Sequence, residues 1–290
     1  MKNHVNKAVI LAGGFGTRFL PATISISKEM FPIVDMPILF YHLKECVESG
    51  ITDCLIISTK DKKEIEKFIN APQRLINRLK QSGKIELLNE YYSVINKLRI
   101  KIIYQKKANG SGAAALLAKK WVNNDAFILF NGDDLFNSQE PIAKQLINVF
   151  TQANKCVCAI QKVPKQLICN YGCTNVSENQ NGYLSVLEVV EKPKVEEAPS
   201  NFAIVGRYLL TTEIFDELTK ISVHNGELYL TDAMNNLVKQ NRVAACLING
   251  EYCDCGNKLE FEKTCVKFML KHQQYGSVFK QFLKDISKDL

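Results

Sequence analysis

The chain has 290 residues, of which 46% are hydrophobic and 23% charged, a composition typical of globular proteins and not of disordered, collagenous or membrane chains. The formal net charge of +7 is spread along the sequence, so it suits an anionic ligand without indicating nucleic acid as a partner. No apolar run approaches the ~18 residues of a membrane span, and we expect no membrane association.

Short apolar runs alternate with amphipathic stretches in the first half of the chain, which predicts repeated strand–helix–strand units. In chain order these are strands over 7–12, 54–58, 100–104, 126–130 and 156–160, with helices over 37–49, 64–79, 112–121 and 141–153 between them. Strands that are apolar throughout are buried on both faces. The predicted fold class is therefore α/β, with three layers and a largely parallel sheet.

The pattern changes after Tyr171, where strands with turn signals predict a mixed sheet region, and residues 258–290 read as helix. We predict one elaborated domain over 1–257, with a first half over about 1–155 and a second over 156–257. A C-terminal helical extension over 258–290 follows it.

The cysteine spacing does not indicate a zinc site, because no CxxC pair occurs and the histidines lie far from the close pairs. With no recognisable secretory leader, we expect free, mostly buried thiols in a reducing cytoplasm. The ten cysteines are Cys46, Cys54, Cys156, Cys158, Cys169, Cys173, Cys246, Cys253, Cys255 and Cys265.

The most informative segment is the glycine-rich loop over 11–33, directly after the first strand. Glycines let main-chain N–H groups approach phosphates, and Arg18 and Lys28 can neutralise the phosphate charge. The segment lacks GxxxxGK[ST], and Phe19 stands where a dinucleotide fingerprint has its third glycine. A plain tight turn is the alternative interpretation.

Acidic residues end two other predicted strands. Asp133 and Asp134 follow the strand over 126–130, and Asp254 lies in YCDCGNKL. Carboxylates at the carboxyl end of a strand can hold Mg²⁺ against phosphate oxygens, although such residues are also common turn caps. Adjacent residues on an extended chain point to opposite sides, so we assign the metal to Asp133 rather than Asp134.

Two further patterns suggest ligand contacts. In VVEKPK, Glu191 can accept from vicinal hydroxyls while Lys192 meets a phosphate, or the two can form a solvated surface pair. Gln105, followed by Gly110, can offer a donor and an acceptor to a pyrimidine edge, or can be a rim residue. No nucleophilic triad signature occurs, which favours direct displacement on phosphorus over a covalent intermediate.

Taken together and in this order, GTRFLPAT, SKEMFPIVDMPI, GDDL, VVEKPK, APSNFAIVGRYLLT, LYLTDA and DCGNKL closely resemble the bacterial UTP:glucose-1-phosphate uridylyltransferases. The resemblance covers most of the chain, from about Lys7 to the C-terminal helix. It implies a Rossmann-like, mixed and mostly parallel sheet of the sugar nucleotidyltransferase type. It also implies Mg²⁺ dependence and a homo-oligomer, either a dimer or a tetramer, that uses UTP and glucose 1-phosphate and releases UDP-glucose and pyrophosphate.

The same resemblance implies roles for individual residues. The uracil would be held by Ala12, Gly13, Gly14, Gln105 and Gly110, the triphosphate by Arg18 and Lys28, and the metal by Asp133 and Asp254. Glucose 1-phosphate would be held by Tyr171, Gly172, Glu191 and Lys192, with Val205 and Gly206 lining that end. Catalysis would rest on Arg18, Lys28, Asp133 and Lys192.

The sequence departs from the family pattern at four places, which keeps two alternatives open. The family usually reads PAAG at 11–14, often has lysine at Ile24 and proline at Ser27, and has GLGHA where this chain reads Gly110 to Ala114. The alternatives are a thymidylyltransferase with the same chemistry and a non-catalytic regulatory paralogue that binds nucleotide sugar. Because each position to which we assign a charged role keeps its charge, we predict an active enzyme that prefers UTP to dTTP.

Overall fold

The computed structural model describes residues 4–178, 182–224 and 226–288, so the last two residues of the predicted extension lie outside the described residues. Within those ranges the strands are β1 (Lys7–Leu11), β2 (Pro32–Ile33), β3 (Met36–Pro37), β4 (Asp53–Ser58), β5 (Arg99–Tyr104), β6 (Phe127–Asn131), β7 (Asp134–Asn137), β8 (Cys156–Lys162), β9 (Gly172–Glu178), β10 (Leu184–Glu191), β11 (Phe202–Leu210), β12 (Val243–Leu247) and β13 (Glu251–Asp254). The α-helices are α1 (Ile38–Glu48), α2 (Lys63–Ile69), α3 (Gln73–Gln81), α4 (Asn89–Ile95), α5 (Ser111–Leu116), α6 (Lys119–Val122), α7 (Ile142–Ala153), α8 (Glu213–Leu218), α9 (Leu230–Lys239), α10 (Lys258–Lys271) and α11 (Gly276–Ile286).

A nine-stranded sheet in the order β5-β4-β1-β6-β11-β8-β12-β10-β9 forms the centre of the fold. Its first four strands are parallel neighbours, whereas β11 and β10 run antiparallel to the strands beside them. Two small ladders, β2 with β3 and β7 with β13, lie outside this sheet. The predicted α/β class with a mixed, mostly parallel sheet is confirmed.

Hydrophobic side chains cover both faces of the sheet, as strands without apolar alternation require. One core cluster joins the sheet to α1 and α7, and the other joins it to α5, α8 and α9. The ten cysteines are free thiols, eight of them buried, which confirms the prediction of free, mostly buried cysteines.

A third, smaller cluster joins the glycine loop to the C-terminal helix α10. Phe19 and Phe31 meet the ring of Phe261 from α10 edge-to-face, with ring centroids 5.7 and 5.8 Å from it. Phe268 of the same helix packs against Tyr41 on α1. The first helix of the predicted extension therefore buttresses the loop that carries Arg18 and Lys28.

Three predicted helices are each divided in two. The stretch over 64–79 becomes α2 and α3, because Pro72 lacks an N–H and disfavours helical backbone at the residue before it. The helix over 112–121 becomes α5 and α6, and the extension becomes α10 and α11. Among the described residues no helix is both long enough and apolar enough to cross a bilayer.

Helix α10 begins at a side-chain cap, which gives a first testable prediction. The Asn257 Oδ1 atom accepts from the N–H groups of Leu259 and Glu260, at 2.9 and 3.3 Å. Asn257→Ala should lower the free energy of unfolding by about 1 kcal/mol in urea titrations, the usual cost of losing such a cap. Asn148→Ala, at an exposed position inside α7, is the control and should leave stability within about 0.5 kcal/mol of the wild type. An equal effect of the two substitutions would contradict the capping role.

Candidate active site

Parallel strands bring the predicted loops to one edge of the sheet. Strands β1, β5 and β6 end at Leu11, Tyr104 and Asn131, and each is followed by a predicted site segment. Since the carboxyl ends of parallel strands share an edge, the glycine loop, Gln105 and Asp133 lie close together.

Gln105 lies directly over Gly13. Its Nε2 donates to the Gly13 carbonyl at 3.1 Å, and a Cβ atom on Gly13 would fall 2.1 Å from that nitrogen. Only glycine therefore permits this approach. The contact holds the amide nitrogen of Gln105 in place. Gln105 also lines a cavity.

Ala12 is placed differently from its predicted neighbours. It is fully buried, its N–H donates to the Ile57 carbonyl at 2.8 Å, and its carbonyl accepts from Lys62 Nζ at 2.8 Å. Both main-chain polar groups of Ala12 already have partners within the protein. Ala12 therefore supports the glycine loop from the protein interior, whereas Leu11, Gly13 and Gly14 line the cavity described below.

A first cavity of about 400 Å³ lies between the glycine loop and the start of α5. It has a main-chain-rich wall from the glycine loop, an amide from Gln105 and cations at one end. Its lining includes Gly13, Gly14, Arg18, Lys28, Glu29, Gln105, Gly110, Ser111 and Asp133.

The β7–β13 ladder brings the two predicted metal aspartates together. Asp254 is in register with Asp134, and the Cys255 N–H donates to the Asp133 carbonyl at 2.9 Å. A Cβ atom on Gly256 would lie 2.5 Å from Asp133 Oδ2 and 3.0 Å from Asp254 Oδ1. The two carboxylates therefore face one small space, although 121 positions separate them in the sequence.

Asp133 is also paired with cations. It forms an ion pair with Lys28, and its Oδ2 lies 3.7 Å from Arg18 Nη2. Burial acts to raise the pKa of Asp133, but the charge and hydrogen bond of Lys28, together with the Arg18 charge, outweigh burial, and the pKa is lowered. For Lys28 itself, burial acts to lower the pKa, but the charges of Asp133 and Glu29 outweigh burial, and the pKa is raised. Both groups are therefore held in their charged forms.

The neighbouring carboxylates behave oppositely. Asp134 turns away, accepting from Tyr252 Oη and from Asn131 Nδ2, at 2.5 and 2.9 Å. Burial, followed by the charges of Asp133 and Asp254, raises the pKa of Asp134 to about 7. Burial and the Asp133 charge also raise the pKa of Asp254. The charges of Arg18 and Lys28 act to lower the pKa of Asp254, but burial and Asp133 outweigh them.

These residues fit a divalent cation bound by two carboxylates. No group of three or more His, Cys, Asp or Glu side chains in the described ranges converges as a protein-only metal site. Mg²⁺ is usually held in proteins by one or two carboxylates, with water and substrate phosphate completing its shell. Asp133 and Asp254, which both face the space beside Gly256, meet that requirement.

A second cavity of about 410 Å³ contains the predicted sugar-phosphate residues Tyr171, Gly172, Glu191 and Lys192. The pairing of β9 with β10 places Glu191 opposite Gly172. Glu191 Oε2 accepts from the Thr231 hydroxyl at 2.8 Å, and its other oxygen lies 3.6 Å from Lys192 Nζ. Glu191 is therefore oriented by a partner, unlike a freely solvated surface residue.

Lys192 has an unusual backbone. Its φ is 42°, and its N–H donates to the Tyr171 carbonyl at 3.1 Å. A left-handed conformation at a non-glycine residue costs of order 1 to 3 kcal/mol and is concentrated at functional sites. The ammonium group lies over the Tyr229 ring, 5.9 Å from its centroid, and faces the cavity.

Like Ala12, the predicted site residues Val205 and Gly206 line neither cavity. The side chain of Val205 lies in the first core cluster and is 1% exposed, while its neighbour Ile204 and the following Tyr208 line the second cavity. Gly206 packs against Asp134, whose Oδ2 would lie 1.9 Å from a Cβ at this position. The two residues back the site from the sheet.

The two cavities meet at their charged ends. Both are lined by Arg18, Lys28, Asp133, Asn131, Ser111 and Glu227. A ligand in each would bring its phosphates to the same group of charges. The arrangement can therefore hold two anions end to end, with positive charge between them.

Sequence reasoning missed Glu29, Lys62 and Thr231. Glu29 is 1% exposed, lines the first cavity, and accepts from Lys62 Nζ at 3.0 and 2.9 Å. Lys62 lies in the charge-rich run KDKKE, which resembles a solvated turn. The position of Glu29 beside Lys28 was the available signal, but only folding shows which charges are buried.

Comparison with known protein families matches residues 7–267 to the nucleotidyl transferase family model. A UTP--glucose-1-phosphate uridylyltransferase from Streptococcus pneumoniae is 40% identical over 296 residues, which cover 100% of this chain and 99% of that protein. The predicted resemblance therefore extends over the full length of the chain.

Solved structures agree with the sequence relatives. The UTP-bound UGPase from Acinetobacter baumannii superposes with a TM-score of 0.88 and 33% identity, over 97% of this chain and 99% of that one. A UDP-glucose pyrophosphorylase complexed with UDP-glucose gives a TM-score of 0.85 and 30% identity, over 93% and 100%.

Proposed function

The chain belongs to the nucleotidyl transferase family, and we propose that it transfers the uridylyl group of UTP to glucose 1-phosphate, forming UDP-glucose and releasing pyrophosphate. One observation carries the proposal: two cavities of similar size share Arg18, Lys28 and Asp133 at the point where they meet. A nucleotide and a sugar phosphate bound there would have their reacting groups adjacent.

On the nucleotide side, we assign the uracil to Gly13, Gly14, Gln105 and Gly110, with Ala12 supporting the loop beneath them. The wall that these residues offer is mostly main chain and amide, which suits the donors and acceptors on a pyrimidine edge. Arg18 and Lys28 lie at the end of this cavity and would neutralise the triphosphate.

On the other side, Glu191 would accept from sugar hydroxyls and Lys192 would bind the phosphate, with Tyr171 and Gly172 as the adjoining wall. The Thr231 hydroxyl fixes the Glu191 carboxylate, and the backbone of Lys192 is fixed by Tyr171. We propose that Val205 and Gly206 support this cavity from the sheet without contacting the sugar phosphate, because Ile204 is the neighbour that lines the cavity.

The reaction follows from this arrangement. A phosphate oxygen of glucose 1-phosphate attacks the α-phosphorus of UTP, a new P–O bond forms, and the bond to the β-phosphate oxygen breaks to release pyrophosphate. The attacking oxygen is already anionic, so no general base is required. The residues Arg18, Lys28 and Lys192 hold two mutually repelling anions in line and stabilise charge on the transition state. A divalent cation between Asp133 and Asp254 would add charge neutralisation at the phosphates.

Three finer points belong to the proposal. We take the cation to be Mg²⁺, because two hard carboxylate oxygens with room for water and phosphate suit it. We expect a homo-oligomer, a dimer or tetramer, and the exposed apolar side chains of Val278, Phe282 and Ile286 on α11 support this. The free thiols suit a reducing cytoplasm.

The discriminating experiment is an assay of pyrophosphate release with glucose 1-phosphate and either UTP or dTTP, with and without Mg²⁺. We expect turnover that requires the metal and a higher kcat/KM with UTP. A preference for dTTP would establish the thymidylyltransferase alternative. No release with either nucleotide, while calorimetry still detects UDP-glucose binding, would establish a regulatory paralogue.

The contact between Thr231 and Glu191 supplies a smaller test of the sugar side. Thr231→Val keeps the side-chain shape but removes the hydroxyl that orients the carboxylate, a loss of about 0.5 to 1.5 kcal/mol. We expect the KM for glucose 1-phosphate to rise a few-fold while the KM for UTP is unchanged. Thr219→Val, at an exposed hydroxyl on the surface, is the matched control. Equal changes in both constants would remove Glu191 from the sugar site.

A further inference from the structure

A fully buried cation lies behind the acidic turn. Arg207 on β11 is 0% exposed, and its guanidinium lies over the rings of Phe130 and Phe136, 4.2 and 4.9 Å from the ring centroids. Its Nη2 donates to Glu45 Oε2 at 2.9 Å, and its Nη1 donates to the Gly206 carbonyl at 3.0 Å. A buried charge must be paired in this way, because leaving it unpaired is strongly destabilising.

Arg207 has one contact that charge compensation does not require. Its Nη2 lies 2.9 Å from Nδ1 of His42, which is also fully buried. A guanidinium only donates, so His42 Nδ1 must be the unprotonated, accepting nitrogen. The proton is then on Nε2, and that nitrogen donates to the Gly132 carbonyl at 3.1 Å. Arg207 therefore selects the tautomer of His42 that can hold Gly132.

Gly132 immediately precedes Asp133, so this hydrogen bond acts on the metal-binding turn. The Asp133 carbonyl is held from the other side by the Cys255 N–H, next to Asp254. Two consecutive carbonyls of the turn are thus held by hydrogen bonds. The Gly132 carbonyl is held by His42 on α1, and the Asp133 carbonyl is held by the Cys255 N–H directly after β13. This leaves little freedom for the Asp133 side chain to change its position relative to Asp254.

We propose that His42, oriented by Arg207, is a positioning residue that holds the Gly132 carbonyl and thereby sets the Asp133 carboxylate for metal binding. The proposal rests on the proposed function, in that it takes Asp133 as a ligand. His42 touches neither cavity and no reacting atom, so its effect is exerted through the backbone. When a residue that orients a metal ligand through hydrogen bonds is removed, metal affinity or activity typically falls 10- to 100-fold.

Two substitutions at His42 separate its two hydrogen bonds. In His42→Gln the amide nitrogen can occupy the place of Nε2 and keep the bond to Gly132. In His42→Asn the shorter amide can accept from Arg207 at the place of Nδ1 but does not reach Gly132. Gln145→Asn, which shortens a buried amide bonded to Asn249 and Glu140, is the control away from the turn.

The readout is the affinity for Mn²⁺ alone, measured by electron paramagnetic resonance, together with kcat and KM. We expect His42→Asn to weaken Mn²⁺ binding about tenfold or more and to lower kcat similarly, with the KM for glucose 1-phosphate within threefold of wild type. His42→Gln and Gln145→Asn should keep Mn²⁺ binding within about threefold, even where they lower the unfolding temperature.

Equal Mn²⁺ affinities for the Asn and Gln variants, or losses that only follow the unfolding temperature, would overturn the proposal and leave His42 a packing residue. A wild-type protein that binds no Mn²⁺ would also overturn it. A wild type that transfers no uridylyl group, while His42→Asn still weakens Mn²⁺ binding, would refute the proposed function and leave the positioning role intact.

Discussion

Asp133→Asn should lower kcat about 10²-fold or more, equivalent to about 2.7 kcal/mol at the barrier, while the fold is preserved. The substitution keeps the side-chain shape but replaces an anionic oxygen, the best ligand that the turn offers a hard cation. It also removes the charge that faces Lys28 and Arg18. Steady-state kinetics with a Mg²⁺ titration measures the effect, and circular dichroism checks the fold.

Asp216→Asn is the control for Asp133→Asn. Asp216 is an exposed carboxylate that pairs with Lys119 at 3.1 Å on the surface, so its loss should change neither turnover nor metal dependence. Turnover of Asp133→Asn within threefold of wild type would refute the metal assignment. Asp254→Asn should act in the same direction and more weakly if Asp254 holds the ion through water.

Lys192→Ala should raise the KM for glucose 1-phosphate about 10- to 150-fold, the equivalent of losing one charge-assisted contact of about 1.5 to 3 kcal/mol. The KM for UTP should stay within about twofold, because Lys192 lines only the second cavity. Initial rates measured over a grid of both substrate concentrations separate the two constants.

Lys194→Ala provides a matched control two residues further along the same loop. Lys194 is exposed, and its ammonium group forms a surface ion pair with Glu197 at 3.1 Å, so neither constant should change. If Lys192→Ala raises both KM values equally, the interpretation of Glu191 and Lys192 as a surface pair is the better one. Glu191→Gln should in turn weaken discrimination between glucose 1-phosphate and its galactose epimer.

The sequence alone predicted five of the nine strands of the central sheet, namely β1, β4, β5, β6 and β8, and the charged residues of the site. For the part of the chain after Tyr171 it predicted a mixed sheet without the limits of the strands. Buried strands such as β6 and β8 are recognisable because they are apolar on both faces. The helix limits were less reliable: one continuous pattern over 64–79 conceals the break at Pro72, since the residues on both sides keep helical propensity. The domain boundaries at 155 and 257 stay predictions.

The functional motifs were recognisable because phosphate chemistry uses a small set of residue types. Glycines after a first strand, an acid at a strand end and a Glu-Lys pair each had an ordinary structural explanation when taken singly. Their order along the chain made the resemblance specific. The nucleotidyl transferase family match over 7–267 and the uridylyltransferase relative that is 40% identical over the whole chain confirm it.

Which of these residues meet in space was decided by the tertiary structure. The register of β7 with β13 places Asp254 beside Asp133, and no local pattern encodes a pairing between residues so far apart. The strand register at β11 likewise buries Val205 and turns Ile204 toward the cavity, since neighbouring side chains on a strand face opposite sides. Sequence specifies the chemical groups of this site, whereas long-range strand pairing and burial specify which of them are adjacent. The tertiary structure also buries Glu29, His42 and Arg207, so these polar side chains form hydrogen bonds within the protein instead of with solvent.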